Sequence, residues 1–161
     1  MPAFARMILA AALVSGCAFT SAHAQGAKQG EDSITHIFTF VDKTMKLGER
    51  TAIFREFSGI SRNDKGSGMF HNLAMRCWGL IDIIEKKGSS IGRCVETDAD
   101  GDEIYSTFEN KAGVGAHTLI GGSGKYKGIS GDQAFGGLSI VKGTDGVSTM
   151  VISLKATWKL P

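Results

Sequence analysis

Proline is nearly absent from this chain of 161 residues: the two prolines are Pro2 and Pro161, one at each end. Nothing between them lacks a backbone N–H, so every internal position can donate to a β-ladder. Clusters of one charge sign are also missing, because 18 Lys and Arg are interspersed with 16 Asp and Glu for a net charge of +2. That pattern argues against a polyanion partner such as nucleic acid, which demands a basic patch. Cysteine is scarce at three, with no C-x-x-C pair, and His36, His71 and His117 show no ligand spacing. A redox couple and a metal site are therefore both poorly supported, and no metal or cofactor is expected. Missing too are an apolar run long enough to span a bilayer comfortably and any convincing helical periodicity.

What is present begins with an export signal. Arg6 is the only charged residue of the first 24, Met7 to Thr20 is mostly apolar, and Ala22-His23-Ala24 has the small-x-small pattern of a cleavage site. Val14-Ser15-Gly16-Cys17 offers the alternative of a lipobox, with Cys17 lipidated and anchoring the protein. Either route predicts a periplasmic or secreted protein. Cleavage after Ala24 leaves 137 of the 161 residues with a net charge of +1, enough for one domain with a real core. Cys77 and Cys94 then remain as an even pair in an oxidising compartment, and a disulfide is expected between them.

Residues 25 to 33 are small and polar and read as a flexible leader, with the single domain running from 34 to 161. Ile34, His36, Phe38 and Phe40 alternate with Thr35, Ile37, Thr39 and Val41, the two-residue period of a strand. A second strand follows over 49 to 57. Ser58 to Gly68 has no apolar periodicity and reads as a long loop, a candidate flap over a barrel mouth. Met69 to Ile84 supplies two strands or one bent strand, Lys86-Lys87-Gly88 a turn, and Ser90 to Thr97 a returning strand that brings Cys94 back towards Cys77. Asp98-Ala99-Asp100-Gly101-Asp102 has alternating carboxylates, yet Glu103 stands where a calcium loop requires glycine, so a hairpin turn is the better reading. Strands over 104 to 109, 117 to 120, 132 to 140 and 146 to 158 complete about eight or nine. Short antiparallel strands at this spacing predict an all-β sandwich or closed barrel, and the glycine-rich corners favour closure.

The most distinctive stretch is Gly121 to Gly131, Gly-Gly-Ser-Gly-Lys-Tyr-Lys-Gly-Ile-Ser-Gly. A P-loop is excluded because Leu119 holds the first glycine position and Tyr126 follows the lysine. Gly122, Gly124 and Gly128 are spaced one residue too far for a dinucleotide loop, and no helix follows. A nucleophile elbow fails at both serines, where Lys125 and Asp132 replace the last glycine. A structural loop of Gly122, Gly124, Tyr126 and Gly128 survives, with Tyr126 as the one large side chain able to pin it.

This stretch resembles the G-G-x-G-x-[YF]-x-G-x-x-G element of the allene oxide cyclase and dirigent barrel superfamily, in particular its bacterial exported, allene oxide cyclase barrel-like members. The C-x-x-T-D-A-D-G-D run from Cys94 to Asp102 extends the likeness upstream. The resemblance implies a closed antiparallel barrel of about eight strands. It also implies a lumen in which a reactive, largely apolar substrate is shaped, with a carboxylate and a bound water steering charge, although none of the family's functional residues maps here one by one. Two functions stay open: a barrel binding a small hydrophobic ligand, with cyclase or isomerase activity as an extension, and a structural or interaction domain with a side-chain-filled core. The expected partners are a small lipophilic molecule and a second copy of the chain, with no nucleic acid and no membrane span.

Polar residues embedded among apolar strand positions are the candidate site: Glu56, His71, Arg76, Glu96, Tyr105 and Glu109. Tyr105 and Glu109 rank first because they share a face next to the glycine-rich end, taken as the barrel mouth. His71 shares its face with Met69, Leu73 and Met75, which points to a buried histidine.

Overall fold

A computed structural model describes residues 27–143 and 147–161. The stretch read as an export signal, with Cys17 in it, lies outside the described residues. Nine antiparallel strands form one sheet: β1 (Gln29–Leu47), β2 (Arg50–Asn63), β3 (Leu73–Ile84), β4 (Lys87–Thr97), β5 (Glu103–Lys111), β6 (Val114–Gly122), β7 (Ser130–Gly136), β8 (Ser139–Lys142) and β9 (Ser148–Lys159). β1 pairs with β9 from Gln29↔Lys159 to Phe40↔Ser148, which closes the sheet into a barrel. β7 and β8 share one edge of β9, β7 along Leu154 to Lys159 and β8 along Ser148 to Val151. The circuit is therefore eight strands round, as the short strands and glycine corners predict.

Inside, large side chains fit where the neighbouring strands carry none. Gly79 and Gly92 face each other across β3 and β4, and a Cβ on either would lie 2.7 or 2.4 Å from the Phe108 ring. A Cβ on Gly59 would meet the backbone oxygen of Ile37 at 2.1 Å and Phe38 at 2.8 Å. This close fit corrects the loop expected over 58 to 68. Strand β2 continues to Asn63, since its Gly and Ser residues mark space for aromatic rings and not a turn. Between β2 and β3 the chain is out of the sheet only from Asp64 to Asn72. His71 falls in that segment, half-buried, with Nδ1 3.3 Å from the Asn63 carbonyl oxygen, and so is not on a strand face with Leu73.

Residues 29 to 33, expected as leader from their composition, are strand instead. β1 starts at Gln29 because β9 offers a full ladder to residues 29 to 33, and Asp32 accepts a 2.8 Å hydrogen bond from Trp158 Nε1 while pairing with Lys65 at 3.0 Å. The stretch from Met69 to Ile84 resolves into a turn and the single strand β3, and the strand expected over 132 to 140 is broken at Gly137 and Leu138 into β7 and β8. Cys77 and Cys94 are register partners on β3 and β4 and form a disulfide with both cysteines buried in the barrel interior.

The two ends of the barrel differ. At the end that holds both chain-terminal strand ends, Phe70, Tyr126 and Ile129 are buried and plug the interior. The glycine-rich element forms this plug as a single 3-10 turn, Gly124–Tyr126. Gly124 has φ +48° and a Cβ there would sit 1.8 Å from Asp102 Oδ1, while Gly128 has φ +78° against the ring of Pro161. Lys125 reaches across to Asp98 Oδ2 at 2.6 Å and Asp100 Oδ2 at 2.8 Å, so a side-chain ammonium occupies the carboxylates of the calcium-like turn. Burial, with Asp98 adding to it, pushes the Tyr126 phenol up to about 12.

Truncating this plug should be expensive. Tyr126→Ala is expected to lower stability by about 3 to 5 kcal/mol, the usual cost of removing a buried aromatic, and Gly124→Val should destabilise by adding a branched side chain at positive φ. Thermal unfolding of both variants checks this, with added phosphate or nucleotide expected to rescue neither.

Candidate functional site

At the opposite end the turns β3–β4, β5–β6 and β7–β8 surround an opening into a cavity of about 730 Å³. Its walls carry Phe38, Phe57, Phe108, Phe135, Met150 and Ile152, together with the Cys77–Cys94 disulfide. Polar groups cluster near the opening, where Lys86, Lys87, Ser89, Ser90 and Asn110 stand. Arg55 also borders the cavity, but its guanidinium is held by Asp42 at 2.6 Å and stacks 3.7 Å from the centre of the Phe40 ring.

Polar side chains are buried in the barrel interior as well: His36, Ser61, Glu96, Ser106, His117 and Gln133. Strand alternation places them on inward positions, as it does Ser106 between Ile104 and Phe108. Register brings several together. His36 lies beside Ser61 across β1 and β2, and His117 beside Gln133 across β6 and β7. Gln133 Nε2 donates to Glu96 Oε1 at 3.3 Å, and the His36 and His117 rings meet edge to face with centroids 5.4 Å apart. His117 is the member of this group that lines the cavity. Among the described residues, Glu96 Oε2, Gln133 Oε1, His117 Nδ1, both His36 nitrogens and the two hydroxyls have no hydrogen-bond partner.

Burial sets the charge state of the group. It lifts the Glu96 carboxyl to about 7, against the smaller opposing effect of the Gln133 hydrogen bond, and drops the His117 imidazole to about 4. His36 is held well below its ordinary value by burial and then by the nearby His117. Both imidazoles are therefore neutral at pH 7.

Of the residues singled out from sequence, Glu96 alone belongs to this buried group. Tyr105 and Glu109 point outward, because Ile104, Ser106 and Phe108 take the inward positions of β5, and Tyr105 instead donates its hydroxyl to Glu103 at 2.8 Å. Tyr105 pairs with Gly121 at the glycine-rich end, which is the plugged end and not the mouth, whereas Glu109 pairs with Ala116 near the β5–β6 turn at the open end. Glu56 and Arg76 form an exposed ion pair at 3.0 Å. His36, His117 and Gln133 were missed as site residues, although His36 was placed on the correct face: a lone histidine in an apolar alternation looks the same whether it packs silently or borders a cavity.

No protein-family profile matches the chain, and no curated protein matches it. Seven chains of solved structures do. One is the structure of a pterocarpan synthase dirigent protein, 11% identical with a TM-score of 0.51, the match covering 83% of this chain and 93% of that one. At that identity the likeness establishes a dirigent-type barrel fold and nothing about chemistry. Among the described residues, no helix is long and apolar enough to cross a membrane.

The buried carboxyl gives a pH prediction with a definite sign. Because Glu96 rises from 4.5 to about 7 on folding, the native state holds its proton more tightly, so its contribution is fully present below about pH 4.5 and is lost as pH climbs through 7. The two histidines act oppositely, weakening the fold as pH falls below 6.5. Glu96→Gln keeps the acceptor for Gln133 and removes the titration. Urea unfolding should find the variant more stable than wild type by up to about 3 kcal/mol at pH 8, with most of that gain gone at pH 5.

Proposed function

We propose that the chain is an exported barrel protein that binds a small hydrophobic molecule in its lumen. The observation that carries this reading is the open cavity of about 730 Å³ walled by four phenylalanines. Pockets of this volume and lining hold small organic ligands, whereas a structural domain with a side-chain-filled core has no use for one. The dirigent-type fold agrees with a lumenal site. Where turnover follows binding, a cyclase or isomerase reaction suits the lumen best: an apolar wall shapes the substrate, and His117 is the titratable group deep on that wall. Export is supported by Ala22-His23-Ala24 behind the apolar run and by the Cys77–Cys94 disulfide, which an oxidising compartment favours.

Native mass spectrometry of freshly purified protein, followed by thermal-shift screening against fatty-acid-like and polyketide-like compounds, tests the reading. A ligand at 100 times its Kd should stabilise the fold by about 2.7 kcal/mol. Ile152→Trp, which fills the cavity, should remove that response while leaving the barrel folded. A wild-type protein that responds to no compound would shift the assignment to a structural domain.

The processed chain is expected to begin at Gln25 without lipid, and intact-mass measurement of the exported protein checks it. A lipid mass retained on Cys17 would instead show an anchored lipoprotein.

A further inference from the structure

We propose that His117 is the hydrogen-bonding anchor at the deep end of the cavity, and that the lumen takes an apolar, ring-sized molecule carrying one uncharged hydroxyl or carbonyl oxygen, oxygen end first. This rests on the lumenal binding proposed above and adds the ligand's chemistry and its direction of entry.

His117 lines the cavity yet is only 4% exposed; its Nδ1 is fully enclosed and has no partner among the described residues, whereas its Nε2 is not among the enclosed, unpartnered nitrogens. Nε2 is thus the ring nitrogen that a ligand oxygen can meet, and a polar atom on an apolar wall gains from a partner there. The ring cannot easily turn away to find another partner. It is wedged against Phe108 at 5.4 Å, Phe135 at 6.1 Å and His36 at 5.4 Å between centroids. The surrounding walls of Phe38, Phe57, Met150 and Ile152 offer no competing polar group, and the lysines stand at the mouth.

Charge decides which oxygen fits. A neutral imidazole has one N–H donor and one acceptor nitrogen, a match for a hydroxyl, which both donates and accepts, or for a carbonyl, which accepts. The titratable and polar groups around His117 supply no cation at depth. His36 packs on it neutral, and Gln133 beside it is turned to Glu96, whose carboxyl is neutral or negative. A carboxylate brought to this end would be stripped of water and given no counter-charge.

Three probes of matched shape test the assignment on the full exported chain at pH 7: naphthalene, 2-naphthol and 2-naphthoate, titrated by intrinsic fluorescence or calorimetry. Wild type is expected to bind all but naphthoate well, with 2-naphthol about fivefold tighter than naphthalene, the gain from one neutral hydrogen bond. His117→Phe keeps the ring and should erase that preference while holding naphthalene as before, and His117→Gln should restore part of it. Circular dichroism confirms that each variant is folded, and the wild-type comparison stands even where one is not. Equal affinity of wild type for naphthol and naphthalene, a preference that survives His117→Phe, or naphthoate binding tightest would overturn the anchor and leave lumenal binding intact. Failure of all three probes on wild type would overturn both.

Discussion

The pairing of β1 with β9 is the contact on which the rest of this protein depends. It is the last ladder of the circuit, joining the two most distant strands of the chain over residues 29 to 40 and 148 to 159. Without it the inward faces would be one side of an open sheet in water, and His36, Phe38, Met150 and Ile152 would lose the enclosure that gives them their properties. Closure also explains why polar residues as early as Glu31 and Asp32 are strand: the ladder with β9 supplies hydrogen bonds that local composition does not advertise.

Closing eight strands leaves an interior too narrow for a large side chain at every inward position, and the chain resolves this by alternating rings with glycines. Phe108 lies against Gly79 and Gly92, and Phe38 against Gly59. The same device differentiates the ends. Phe70, Tyr126 and Ile129 fill one end, while at the other β9 is paired by the four-residue β8, the strand edge breaks at Gly137, and the cavity opens there. The disulfide bridges β3 and β4 on the cavity wall. It tethers neighbouring strands at the level where the interior has been left open.

Much of this architecture was legible in the residues. The alternation from Ile34 to Phe40, the Cys77 and Cys94 pairing, the hairpin at Asp100-Gly101 and the closed barrel follow from period, turn chemistry and cysteine parity, all of which are local or nearly so. What was not legible depends on the far side of the barrel. Ser58, Gly59 and Ser61 look like loop until Phe38 is seen to need the room. Tyr105 and Glu109 look like a site until the inward face of β5 is fixed by Ile104 and Phe108, which are apolar and equally consistent with either orientation of the polar face. Which end is open was beyond reach altogether, because it is settled by Phe70 and Tyr126, which are 56 residues apart in sequence and come together only after closure.

The buried polar group is the least expected feature in a barrel that could have been filled with hydrocarbon. Each unpartnered hydroxyl, amide or imidazole atom in such surroundings costs about 1 to 3 kcal/mol, so several of them are a standing burden on a small domain. Packing alone would favour Leu or Val at His36, Ser61, Ser106, His117 and Gln133, which would be cheaper and equally compatible with the strand period. Glu96 sharpens the point, since its ionisation in the barrel is opposed by burial and only Gln133 steadies it. Polar residues that weaken the fold, placed at and behind the floor of an otherwise apolar cavity, match the usual division of a ligand site: apolar walls supply most of the affinity and a few fixed polar atoms set the orientation. Their arrangement is easier to understand as recognition than as architecture, and it locates that recognition at the deep end of the lumen rather than at its charged mouth.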